Sequence, residues 1–126
     1  MKRIIIAASI LLLTFAAILS HSFYIGSFTE DLTTLLEAAE NNAEENNWAA
    51  AWDLTQTAHQ KWDAKSAYLH ILLRHNETDN VYTGFREVFE FIQCQESGEY
   101  SAANARLIAE LELLSEAEQL TLQNVL

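Results

Sequence analysis

The chain has no proline, and glycine occurs only at Gly26, Gly84 and Gly98. Turn-rich β folds depend on such residues, so their scarcity points to helix. Ala, Leu, Glu and Gln, all good helix formers, are abundant instead. Cysteine is nearly absent as well: Cys94 stands alone, which excludes an internal disulfide and leaves the fold to packing. As a lone, small, apolar side chain it is expected to be a buried thiol rather than an intermolecular bridge. Its distance from the N-terminus also excludes a lipidated cysteine directly behind the apolar segment. Positive charge is scarce beyond the start. Lys2 and Arg3 precede the first apolar run, and eighteen acidic against five basic residues follow it, a net of −13. A surface of that sign repels nucleic acid, so no nucleic-acid partner is expected. The plain reading of the acidity is a solvated face.

What is present begins with a long apolar run. Ile4 to Leu19 is broken only by Ser9 and Thr14, and the stretch extends through Phe23, Tyr24 and Ile25. At 1.5 Å per residue, residues 4–25 reach about 33 Å, enough for a hydrocarbon core of about 30 Å. The expected partner of this segment is therefore the lipid bilayer. Lys2 and Arg3 set the orientation: the basic end stays in the cytoplasm and the acidic remainder goes to the outside. The expectation is a single-pass protein of the cell membrane, with residues 1–26 as anchor and residues 27–126 as an extracytoplasmic domain. The rival is a cleaved signal peptide, because Ser20-His21-Ser22 is a passable cleavage site. In that case the product is secreted.

The remainder reads as about four helices in an antiparallel bundle. Ser27-Phe28-Thr29-Glu30 has capping-box spacing and is expected to open the first. Phe28, Leu32, Leu35, Leu36, Ala39 and Ala43 give it an apolar face, and the Asn-rich stretch 41–47 ends or bends it. Next, Trp48, Trp52, Thr55, His59, Trp62, Ser66, Leu69 and Leu73 follow one another at spacings of four and three, a heptad seam along one helix over about 48–75. Trp48, Trp52, Trp62, Leu69 and Leu73 are the candidate seam, with core as the default role and a partner groove or homodimer contact as the other. The stretch 76–80 reads as a turn with Thr78 as N-cap. A third helix carries Val81, Phe85, Val88, Phe89 and Ile92, and Ser97-Gly98 reads as its stop. A fourth carries Ala103, Leu107, Leu111 and Leu114. Ser115-Glu116-Ala117-Glu118 repeats the capping-box spacing and suggests a short final helix. There is also a faint echo: Trp48 and Tyr100 each precede small residues at a helix start.

Trp48, Trp52 and Trp62, the stretch His75-Asn-Glu-Thr-Asp-Asn80, and the closing Leu114 to Leu126 resemble a family of short bacterial proteins of Gram-positive type and unknown function. Those proteins have one N-terminal membrane helix and a helical extracytoplasmic part, and the resemblance runs nearly the whole length. It implies placement and fold, and brings no activity, substrate or site residue. Members often carry proline where this chain has Ser115, so the break before the last helix lacks the residue that would fix it.

No catalytic or metal motif stands out, and no cofactor is expected. His70 and His75 are five apart, off the spacing that aligns two ligands on one helix face. His59 lies roughly 16 Å from His70 along the same helix. A site from His75, Glu77 and Asp79 competes with a simple hydrated turn. No nucleophile–base constellation or phosphate loop occurs. The expectation is a non-catalytic module that binds or stabilises a membrane or envelope protein, with a small-ligand or cation-binding domain as the alternative.

Overall fold

In the computed structural model, backbone is described for residues 1–72 and 75–125, and side chains for residues 1–69, 71 and 77–117. Four helices account for nearly all of it: α1 Lys2–Glu44, α2 Trp48–Leu72, α3 His75–Cys94 and α4 Ser97–Val125. Each packs against its neighbours in chain order, and α1 closes the ring against α4. Successive helices run antiparallel, as paired levels show: Phe28 stacks on Trp62, His59 meets Phe85, and Asn104 bonds back to Leu36. The result is the up-and-down four-helix bundle that short connections favour, as the apolar periods imply.

The core follows those periods closely. Leu32, Leu36, Ala39 and Ala43 of α1 are buried, with Ala51, Ala58, Trp62 and Leu69 of α2. Val81, Phe85, Val88 and Ile92 come from α3, and Ala103, Leu107, Leu111 and Leu114 from α4. Thr55 is buried too, and its hydroxyl donates to the Ala51 carbonyl at 2.8 Å, so the heptad row costs no unpaired polar atom there.

The helix ends depart from the expectations in five ways. First, α1 does not begin at Ser27. It runs without a break from Lys2, because the helical apolar segment upstream already satisfies the amides a cap would serve. Second, Thr78 is no cap: α3 starts at His75, and Thr78 is buried within its first turn. Third, Gly98 is not the stop. The left-handed residue after α3 is Gln95, at φ 54°, and Gly98 lies inside α4. Fourth, no short final helix forms. α4 passes straight through Ser115, where no proline removes an amide. Fifth, Cys94 is exposed. It lies two residues beyond Ile92, about 200° around the helix from the buried face. Leu73 of the candidate seam lies outside the described residues.

The two turns at the far end share one geometry. After α1, the Asn46 amide donates to the Ala43 carbonyl and the Asn47 amide to Asn42, with Asn46 at φ 61°. After α3, the Gln95 amide donates to Ile92 and the Glu96 amide to Phe91. Both are the paired closure that satisfies the last carbonyls of a helix. Asn suits the left-handed position, whereas Gln there costs about 1–2 kcal/mol. Asn47 then caps α2 by accepting from the Ala50 amide at 3.3 Å. The echo of aromatics at helix starts has a physical meaning here. Trp48 and Tyr100 meet edge-on, their centroids 5.6 Å apart, and close this end of the bundle.

Candidate functional site

The apolar segment is the most unusual surface. Every side chain from residue 1 to residue 17 is exposed, including Ile4, Ile5, Ile6, Ile10, Leu11, Leu12 and Leu13. An 18-residue window of α1 has mean hydropathy 2.3 and none of it is buried in the bundle. A core helix of a water-soluble fold buries such a stretch, so that explanation fails. The first core residue of α1 is Ile25, which is therefore turned to the bundle and not outward. Thr14, a polar interruption of the run, donates its hydroxyl to the Ile10 carbonyl at 2.8 Å. That internal bond removes the penalty of a lone hydroxyl in an apolar medium. Lys2 and Arg3 are exposed at the start of the same helix.

The tryptophan seam does not act as one unit. Trp62 is almost fully buried and stacks on Phe28 at 6.3 Å, and Leu69 is buried below it. Trp48 is half-buried against Tyr100. Trp52 stays 37% exposed, tilted against Phe89 at the α2–α3 edge. His59, between them, meets Phe85 and Phe89 with its ring edges and lies 3.5 Å from the Asp63 carboxylate, an ion pair when the imidazole is protonated. Among the described seam residues, Trp62 and Leu69 are thus core, Trp48 is half-buried at one end and Trp52 stands at the rim.

Beside the base of the bundle, α1 and α4 leave an open groove of about 640 Å³. The exposed Leu19 and Phe23 border it at the end of the apolar segment, and Ser22, Gly26, Thr29 and Thr33 run up the α1 side. Glu30, Glu112 and Glu116 line it with negative charge. The periods in the sequence mark α1 and α4 as neighbours of a core but carry no sign of this gap, which depends on how the two helices are placed side by side.

One polar cluster lies inside the bundle. Asn104 is fully buried, its amide nitrogen donating to the Leu36 carbonyl at 3.0 Å, while its oxygen has no partner among the described residues. Tyr100, one turn earlier, has its hydroxyl buried without a partner there too. Burial pushes the Tyr100 phenol well above the usual tyrosine range, and the nearby Glu40 carboxylate pushes it the same way. Glu40 itself accepts from the Ser101 hydroxyl at 2.6 Å. The Asn104–Leu36 and Ser101–Glu40 bonds tie α4 to α1, with Asn104 and Tyr100 buried and Ser101 at the surface.

Among the described residues, no group of three His, Cys, Asp or Glu side chains is placed to hold a metal ion. Glu77 stands in the first turn of α3 and Asp79 just beyond it, so the stretch expected as a turn is helix. The side chains of His70 and His75 lie outside the described set.

Fold and surface together define a small all-helical bundle carried on the end of a long, exposed apolar helix. The chain belongs to the family described as a domain of unknown function, DUF4363, which matches residues 19–125. The match starts within the apolar helix and takes in the whole bundle. No curated protein matches the chain, and no solved structure does.

Proposed function

We propose that the protein is a non-catalytic, membrane-anchored module whose helical bundle stands outside the cytoplasm and binds or stabilises another membrane or envelope protein. The observation that carries this reading is the apolar part of α1, held clear of the bundle along its exposed length. Water penalises that much bare apolar surface, and a bilayer removes the penalty. Lys2 and Arg3 on one side, against the acidic bundle on the other, favour the bundle facing outward. The groove beside the apolar segment suits a protein partner, because the small side chains of Ser22, Gly26 and Thr33 on its α1 wall let another helix approach closely.

The test is crosslinking in native membranes with a photo-reactive side chain at Thr33, on the groove wall. The expected result is one discrete adduct with a membrane or envelope protein. Recovery of only the free chain, from membranes that contain it, would sink the partner reading. A second reading gives the same groove a small cationic ligand, favoured by Glu30, Glu112 and Glu116 along its wall. Thermal shift with polyamines and divalent cations separates the two, since a shift abolished by Glu112→Gln belongs to the ligand alone.

A further inference from the structure

We infer that the base of the bundle, on the α1–α2 side, is itself a lipid-binding surface: Tyr24, Tyr68 and Ile71 sit in the headgroup layer with the Lys65 ammonium above them. This rests on the reading of α1 as a membrane anchor and adds a second, separate contact between bundle and bilayer.

The first argument is length. α1 has no linker between its apolar part and its core part. Counted from Ile4, about 30 Å of hydrocarbon takes up roughly twenty residues and ends near Phe23. Ile25 is already in the bundle core. The headgroup layer, about 5–7 Å deep on each side, therefore spans the level of the first bundle turn. A continuous helix has no slack with which to lift the bundle away.

The second argument is what lies at that level. Tyr68 of α2 meets Tyr24 edge-on at 6.1 Å and its hydroxyl lies 2.8 Å from His21 Nδ1, which sets it beside the last turn of the apolar stretch. Ile71 is one turn further toward the membrane on the same face of α2 and is 84% exposed. In the other direction, the Lys65 Nζ lies 5.5 Å over the Tyr24 ring. Going outward from the apolar segment, the order is bare aliphatic, tyrosine pair, ammonium. That order matches acyl boundary, interface and phosphate, where aliphatic, aromatic and snorkelling basic side chains are each most stable. In water, by contrast, Ile71 and both tyrosine rings gain nothing from their exposure.

The depth has a limit. Glu77 and Asp79 start α3 at this end, and Glu116 lies at the same end of α4. Sinking these carboxylates into hydrocarbon is costly, so the seat is shallow and confined to the α1–α2 side.

The experiment uses the full chain in vesicles of phosphatidylcholine and phosphatidylglycerol. A small fluorophore is placed either on native Cys94 or, in a Cys94→Ser chain, on Ile71→Cys. Both sites are exposed and they lie at opposite ends of the bundle: Ile71 stands at the end of α2, the level from which α3 sets out, and Cys94 closes α3, whose twenty residues span about 28 Å between first and last Cα. Aqueous iodide and lipids brominated near the headgroup then report the surroundings of each label. The expected result is roughly three-fold weaker iodide quenching at the Ile71→Cys label than at Cys94, with bromolipid quenching only at the former. Equal iodide quenching of the two labels in chains that float with the vesicles overturns this inference and leaves the anchor standing. Failure of the chain to float removes the anchor, and this contact with it.

Discussion

Replacing Trp62 and Trp52 separately by alanine tests whether the seam is core or partner surface. Both residues lie on the heptad seam, but on its two different rows: Trp62 shares a row with buried Thr55 and Leu69, and Trp52 with the part-exposed His59 and Ser66. Trp62 is 3% exposed, and an indole of that size removes about 150–250 Å² from water. At about 25 cal/mol per Å² the transfer alone is worth roughly 4–6 kcal/mol, and measured Trp→Ala changes in cores cost about 3–5 kcal/mol. Trp62→Ala should therefore cost about 4 kcal/mol. Trp52 keeps more than a third of its surface in water and borders solvent, so its removal leaves no closed cavity. Its cost should be about 2 kcal/mol. The difference corresponds to a gap of roughly 8–16 °C in midpoint for a bundle of this size. Total stability of such a domain is about 5–15 kcal/mol, so Trp62→Ala could unfold at the lower end. Trp62→Phe, which keeps a ring against Phe28, is the milder companion. The assay is denaturation of the full chain in micelles, followed by far-UV circular dichroism. The apolar part of α1 is expected to stay helical in the micelle and to add a constant signal. Equal losses for Trp62→Ala and Trp52→Ala would refute the reasoning.

Tyr100 ties stability to alkaline pH. Its folded-state pKa lies above the unfolded value of 10.0, so the folded protein holds the phenolic proton more tightly. That contribution is complete below pH 10 and is lost as pH rises beyond it, because the unfolded chain ionises first. Urea midpoints measured from about pH 9 to about pH 11 should fall more steeply for the native chain than for Tyr100→Phe. Parallel curves would remove Tyr100 from the account. The two helical glycines that face neighbouring helices should respond in opposite directions. An alanine Cβ at Gly26 would rest 3.7 Å from the Ser115 hydroxyl, an ordinary contact, so helix propensity wins and Gly26→Ala stabilises by about 1 kcal/mol. At Gly84 the Cβ would lie 2.9 Å from the Leu107 methyl, and Leu107 is buried with little room to move. Overpacking costs about 1–3 kcal/mol and outweighs the same propensity gain, so Gly84→Ala destabilises. Thermal melts of both variants check the signs.

Helix class, the face each helix buries and the exposed apolar leader were legible because each rests on local rules. A period near 3.6 decides which side chains can share a core, and length with hydropathy decides what can span a bilayer. Val81, Phe85, Val88 and Ile92 fall inside on that rule alone. Helix ends were less legible. Ser27 and Ser115 both have capping-box spacing, yet both lie inside continuous helices, since a cap pattern has force only where the chain actually leaves the helix. Thr78 and Gly98 misled for the same reason.

The amino-acid sequence by itself therefore determined an all-helical chain with an apolar leader, an acidic body and a set of core-facing stripes. Only the tertiary structure decided how those stripes are shared out. It buried Trp62 and left Trp52 at the rim, exposed Cys94, and opened a groove between α1 and α4. It also merged the apolar stretch with the first bundle helix, which sets Tyr68 beside His21 and Tyr24 at the end of that stretch. The physical reason is that periodicity encodes direction around one helix axis. Depth within a bundle, and height above a bilayer, depend on how four axes are arranged in space.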